Sequence, residues 1–129
     1  MQNNMKKLFV SVPMKGRTKE DIKASITKMH KIAEIFEGEE LELIDSYVEN
    51  DPPVDSKQAI WYLGKSIEKL ATADIFIGID RYYDWHGCQI ETEVASFYDV
   101  KSYQVDATVI INDYFKVVEK ALDMSTKEN

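Results

Sequence analysis

The sequence predicts a single α/β domain with a parallel sheet, and three observations predict it. Short apolar, β-rich runs alternate with longer segments of helical periodicity along most of the chain. The strand-like runs are continuously apolar rather than alternating, as in a sheet covered on both faces. The chain of 129 residues is 44% hydrophobic and 30% charged, an ordinary globular balance with room for one core.

The first run, Leu8-Phe9-Val10-Ser11-Val12, is ended by Pro13 and reads as a buried strand. Pro13 to Arg17 is a loop containing Gly16. Thr18 then caps a helix, with Asp21 in a weaker version of the capping box. Ile22, Ile26, Met29, Ala33 and Phe36 form its inward stripe, and Gly38 closes it. Leu41 to Ser46 is the second strand, and the turn-rich Tyr47 to Asp55 is a loop. Ser56 to Thr72 is the second helix, with Ile60, Leu63, Ile67 and Leu70 buried. Asp74 opens the third strand, Ile75 to Ile79. A loop from Asp80 to His86 carries two tyrosines and a tryptophan. Gly87 to Tyr98 is the third helix, with Ile90, Val94 and Phe97 facing inward. Lys101 to Val105 is a fourth strand, Thr108 to Ile111 is also strand-like, and Asp113 to Met124 is a last helix. The domain spans 1–125, and 126–129 is a frayed polar tail.

Strand–helix alternation of this kind implies parallel strands joined by crossover helices. The expected architecture is a flavodoxin-like three-layer sandwich with a parallel sheet of four or five strands. In that order the sheet reverses between the first and third strands, and ligands bind at the carboxyl ends of strands beside the reversal. The loops there are Pro13–Arg17 and Asp80–Gly87, so a site is expected between them.

The net charge of −7 argues against duplex nucleic acid as a partner. The single cysteine, Cys88, excludes an internal disulfide and fits a reducing compartment. Met1 to Lys7 has no apolar segment of the signal-peptide kind, and no apolar run approaches the ~20 residues of a membrane helix. A cytoplasmic protein with no membrane partner is expected.

Glu91 is the leading candidate for chemistry. It lies near the start of the third helix, where the positive helix end favours an ionised carboxylate, a state suited to a nucleophile. Glutamate is also common in first turns for helix stability alone. Glu93 stands about 200° around the helix from Glu91, so a second acid would come from elsewhere, with Asp84 and Asp45 the candidates. Gly87 opens the helix and lets a ligand approach its amides, although a turn glycine needs no ligand. Cys88, at the same helix end, is a candidate for a lowered pKa. Lys15 and Arg17 flank Gly16 and would hold a phosphate or carboxylate; as loop charges they also fit plain solvation. Tyr82, Tyr83 and Trp85 would stack on a flat ring or form an oligomer contact. Neither GxxxxGK[ST] nor GxGxxG is present, and one cysteine with scattered histidines gives no metal-ligand spacing. No cofactor and no metal are expected.

These pieces together resemble the nucleoside 2-deoxyribosyltransferase-like superfamily, closest to a small branch often carried by phages and prophages. The resemblance runs from about Leu8 to Tyr98. It rests on Ser11-Val12-Pro13-Met14-Lys15-Gly16-Arg17, Ile44-Asp45-Ser46, Trp61-Tyr62-Leu63-Gly64-Lys65-Ser66, Ala73-Asp74 and, most specifically, Gly87-Cys88-Gln89-Ile90-Glu91-Thr92-Glu93-Val94-Ala95. It implies a site for a nucleoside, nucleotide or related ribosyl compound. Glu91 matches the glutamate that attacks the anomeric carbon, and Ser11 to Arg17 match the loop that cradles the ligand. The substrate-binding set implied is Ser11, Pro13, Met14, Lys15, Gly16, Arg17, Asp45, Ser66, Asp84, Trp85, Gly87 and Cys88. Homo-oligomers are implied as well, and the host bacterial cytoplasm if the chain is phage-encoded. Three positions depart from active transferases: Ser66 and Trp85 stand where those enzymes carry aspartates, and Phe9 replaces a first-strand tyrosine. The departures leave two expectations, an N-glycosidic bond hydrolase or transferase using Glu91, and a degenerate protein that binds a nucleotide or signal molecule without cleaving it. In a phage, such binding would sequester a host signal.

Overall fold

The computed structural model describes residues 5–14, 16–48, 51–80 and 85–109. In chain order they form strand β1 (Lys7–Val10), helix α1 (Lys19–Glu37), strand β2 (Glu42–Leu43), helix α2 (Gln58–Leu70), strand β3 (Ile75–Ile79), helix α3 (His86–Phe97), strand β4 (Lys101–Val105) and a 3₁₀ turn (Ala107–Val109). The four strands are parallel in the order β2-β1-β3-β4. The architecture is an α/β flavodoxin-like sandwich, with the order reversing between β1 and β3. None of the described helices is long and apolar enough to cross a membrane.

Alternate residues of the strands feed two cores. Leu8, Val10, Ile75, Ile77 and Ile79 pack against Ile22, Ile26, Met29 and Ala33 of α1. Phe9 and Phe76 face the other way, toward Leu70 of α2 and Ala95 of α3. Phe9 and Phe76 are register partners across β1 and β3, and their rings stack at 6.0 Å.

Helix α1 has the ends its sequence announces. The Thr18 side chain accepts from the Asp21 amide at 3.1 Å. Gly38 takes a left-handed φ of 73° and donates its amide to Glu34 O. Phe36, expected in the core, is half exposed and lies against the Tyr103 ring. The inward row Ile22, Ile26, Met29 and Ala33 continues to Glu37, not Phe36, at helical spacing. Glu37 accepts the Tyr103 hydroxyl and pairs with Lys101 at 2.7 Å, tying the end of α1 to β4.

Strands β3 and β4 have the expected bounds, whereas β1 and β2 end earlier than expected, though the chain keeps their direction. After β1, the Ser11 amide still donates to Ile77 O at 2.9 Å. After β2, the Ile44 amide donates to Leu8 O and the Ser46 hydroxyl to Val10 O. Pro13 brings no amide to extend the ladder. Helix α2 starts at Gln58 rather than Ser56, and Ile60 is exposed rather than buried. The strand expected over Thr108–Ile111 begins instead as the 3₁₀ turn, and the helix over Asp113–Met124 lies outside the described residues.

The largest correction concerns α3. Ile90 and Phe97, expected inside, are exposed, and Val94 is only partly buried. The buried face is Cys88, Glu91, Thr92 and Ala95. Small residues there let the helix sit close on the sheet. Gly78 of β3 is part of this fit: a Cβ at that position would meet the Phe76 ring at 2.7 Å and Thr92 Oγ1 at 3.4 Å. Helix α3 therefore turns a glutamate inward.

Candidate functional site

Beyond the carboxyl end of β1 lies a cavity of about 550 Å³. Val12, Pro13 and Met14 wall it from the chain after β1, and Ala59, Tyr62, Leu63 and Ser66 from α2. Trp85, His86, Gly87, Cys88 and Glu91 close it from the start of α3, with Ser46 beside the segment after β2. The cavity uses the expected reversal point. Of its α2 wall, Ser66 is among the residues the resemblance implies, whereas Ala59, Tyr62 and Leu63 are not. The spacing 59, 62, 63, 66 is one helical face, offset from the core-facing stripe, and that offset was the available signal. His86 and Ser46 are further wall residues that the sequence reading passed over.

Glu91 is 8% exposed and sits on this wall. Its Oε1 accepts the Ser11 hydroxyl at 2.6 Å. Burial pushes its pKa up to about 7, against the opposing hydrogen bonds of Ser11 and then Ser66. The expectation that the helix end keeps Glu91 firmly ionised is overturned. Helix α3 begins at His86, so Glu91 lies beyond the first turn, where the helix-end field has faded and loss of hydration dominates.

Cys88 is corrected in the same direction. Burial, the largest influence, and the Glu91 charge push its thiol up to about 12, past the lowering effects of Ser11 and Arg17. The side chain is a neutral thiol at physiological pH, not an activated thiolate.

Arg17 does not reach into the cavity. Its guanidinium donates to Pro13 O at 2.9 Å, Asp21 O at 3.2 Å and Ser25 Oγ at 2.6 Å. Burial lowers its pKa, ahead of the raising influence of Asp21. Arg17 thus braces the β1–α1 loop from within. Gly16 serves the same loop with a left-handed φ of 76° and is exposed. Asp45 is exposed and spent on a turn, accepting the Tyr47 amide at 3.1 Å, so it is not a second acid for Glu91. Ser11 is buried behind Glu91 rather than on the cavity wall. Pro13, Met14, Ser66, Trp85, Gly87 and Cys88 do lie on that wall. Lys15, Tyr82, Tyr83 and Asp84 lie outside the described residues.

Among the described residues Glu91 is the one carboxylate on the wall, and no group of three or more His, Cys, Asp or Glu side chains is disposed to hold a metal ion. A lone carboxylate with a pKa near neutrality, in a mostly apolar cavity whose wall also carries Tyr62 and Trp85, can act as nucleophile or as base toward a flat, polar-edged ligand. Comparison with family models, curated proteins and solved structures returns no match for this chain.

Proposed function

We propose that this protein cleaves or transfers an N-glycosidic bond of a nucleoside, nucleotide or related ribosyl compound, with Glu91 as nucleophile. The observation that supports the reading best is the placement of Glu91: a buried carboxylate, held at 2.6 Å by Ser11, on the wall of a cavity large enough for a nucleoside. The resemblance of Gly87 to Ala95 to the glutamate-bearing helix of the 2-deoxyribosyltransferase-like superfamily adds the reaction type.

In this mechanism a Glu91 carboxylate oxygen attacks the anomeric carbon and the carbon–nitrogen bond to the base breaks. The bond electrons leave with the base, whose nitrogen takes up a proton from solvent. The resulting glycosyl ester is opened by water, or by a second base, attacking the same carbon, and Glu91 returns as a carboxylate. Trp85 and Tyr62 supply ring faces for the base. Incubation with a panel of nucleosides and nucleotides, with Glu91→Ala as control, tests the proposal. Base release by the wild type alone supports it. Release from none of the panel, or equal release by the mutant, contradicts it.

One observation favours a second reading, a binding protein that leaves its ligand intact. Ser66 stands on the wall near Glu91, where active transferases would offer an aspartate, and Asp45 is turned to another task. Native mass spectrometry separates the two: an intact co-purified nucleotide supports binding, free base or sugar supports turnover.

A further inference from the structure

Ser11 occupies a position in which a small polar residue has no packing reason to be. It is 1% exposed, between the apolar Val10 and Val12, at the end of the central strand pair. A buried hydroxyl left unpaired is destabilising, so its placement needs a partner. Its partner is Glu91, 80 positions later in the chain. The serine is fixed from both directions: its amide donates to Ile77 O at 2.9 Å, and its hydroxyl donates to Glu91 Oε1 at 2.6 Å. Ser66 meets the same carboxyl group from α2 and lies on the cavity wall, whereas Ser11 does not.

We propose that Ser11 is a positioning residue that holds the Glu91 carboxylate against the β1–β3 sheet, from behind, and so fixes its aim into the cavity. As a catalytic statement this rests on the reading of Glu91 as nucleophile; as a structural statement it does not. A carboxylate on a helix alone has several rotamers. One whose Oε1 is tied to the rigid end of a central strand has few, and the geometry is set before ligand arrives. The hydrogen bond also favours the ionised form against the burial that opposes it. The Ser66 hydroxyl on α2 acts on the Glu91 carboxyl in the same direction; the other titratable groups around it are Cys88 on α3, which feels the charges of Glu91 and Arg17, and His86 on the shared wall. Cys88 also interacts with the Ser11 hydroxyl, so thiol, serine and glutamate form one buried polar group.

The test is a carbon-13 titration of the Glu91 carboxyl in the full-length protein, its resonance assigned by its loss in Glu91→Gln. Ser11→Ala is expected to raise the midpoint so that ionisation is weakened about ten- to a hundredfold, the worth of a charge-assisted hydrogen bond. Ser11→Thr, which keeps the hydroxyl, is expected to restore the midpoint to within about twofold of wild type in the ionisation equilibrium. An unmoved midpoint in a folded Ser11→Ala protein would overturn the proposal. If that variant does not fold, the wild type decides. A slowly exchanging, low-field Ser11 hydroxyl proton that vanishes in Glu91→Gln supports the contact, and its absence from the wild-type spectrum refutes it. Where base release is measurable, Ser11→Ala should lower kcat with KM little changed and move the pH limb upward; a lower Tm with an unmoved limb counts against positioning. A protein inactive on every nucleoside ends the proposed reaction, while the titration still decides the role of Ser11.

Discussion

At the scale of the residue, Glu91 carries two opposing demands. A nucleophile must be ionised, yet burial has pushed this carboxyl up to about 7. It follows that kcat/KM for base release should rise with pH and level off above about 7, and rate measurements from pH 5 to 9 check this. The same shift predicts a stability effect of definite sign. Between the ordinary carboxylate value of 4.5 and about 7, the folded protein holds a proton that the unfolded chain has lost. Stability therefore falls as pH rises through that window, by about 3 kcal/mol if the whole shift is felt. Glu91→Gln should remove that slope, leaving a protein that is inactive but more stable than wild type at pH 8 by about 1–3 kcal/mol in urea unfolding. A variant less stable than wild type at pH 8 would mean that hydrogen bonding, not burial of charge, governs the site.

At the scale of the element, α1 was legible in nearly every detail, because caps are local chemistry. Thr18 and Gly38 act through their own and neighbouring backbone groups, and the sequence alone carries them. Thr18→Ala should cost about 1 kcal/mol of stability. Helix α3 was misread for the complementary reason. Its hydrophobic residues, Ile90 and Phe97, suggested one inward face, but the sheet beneath accepts a close-packed face of small and polar residues. What selects that face is Gly78, whose lack of a side chain makes room for the Phe76 ring near Thr92, and this is a property of a distant strand. Gly78→Ala should lift α3 or displace Phe76, costing about 1–3 kcal/mol, and should impair base release at the same time. Full activity in that variant would show that the seating of α3 does not set Glu91. Glu37 illustrates the same limit. Its hydrogen bonds from Lys101 and Tyr103 hold its pKa down at about 2, a pairing across 64 or more positions that no local pattern announces. The stabilisation is present above 4.5 and is lost as pH falls toward about 2. Because Lys101 is largely exposed, solvent screening leaves only a small part of that shift as stability. Glu37→Gln should flatten acid unfolding over that window.

At the scale of the whole molecule, alternation of strands and helices was enough to anticipate where the cavity lies. Parallel strands in the order β2-β1-β3-β4 fix a reversal between β1 and β3, and the cavity opens beyond it. The loop after β1 and the start of α3 were both anticipated as its walls. Two of the anticipated charges lie elsewhere, since Arg17 bonds its own loop and Asp45 its own turn. Side chains with hydrogen-bonding groups nearby in sequence tend to use them, and spacing alone does not reveal when they do. Among the described residues the wall is largely apolar and carries one carboxylate, Glu91. Acid-quenching the protein within seconds of mixing it with a pooled panel of nucleosides and nucleotides, then weighing it intact and by peptide, tests Glu91 as nucleophile most directly. A mass gain of one glycosyl unit is expected on the peptide containing Glu91, absent from Glu91→Ala. Base release from a protein that stays unmodified, or a glycosyl group carried on another residue, would contradict it.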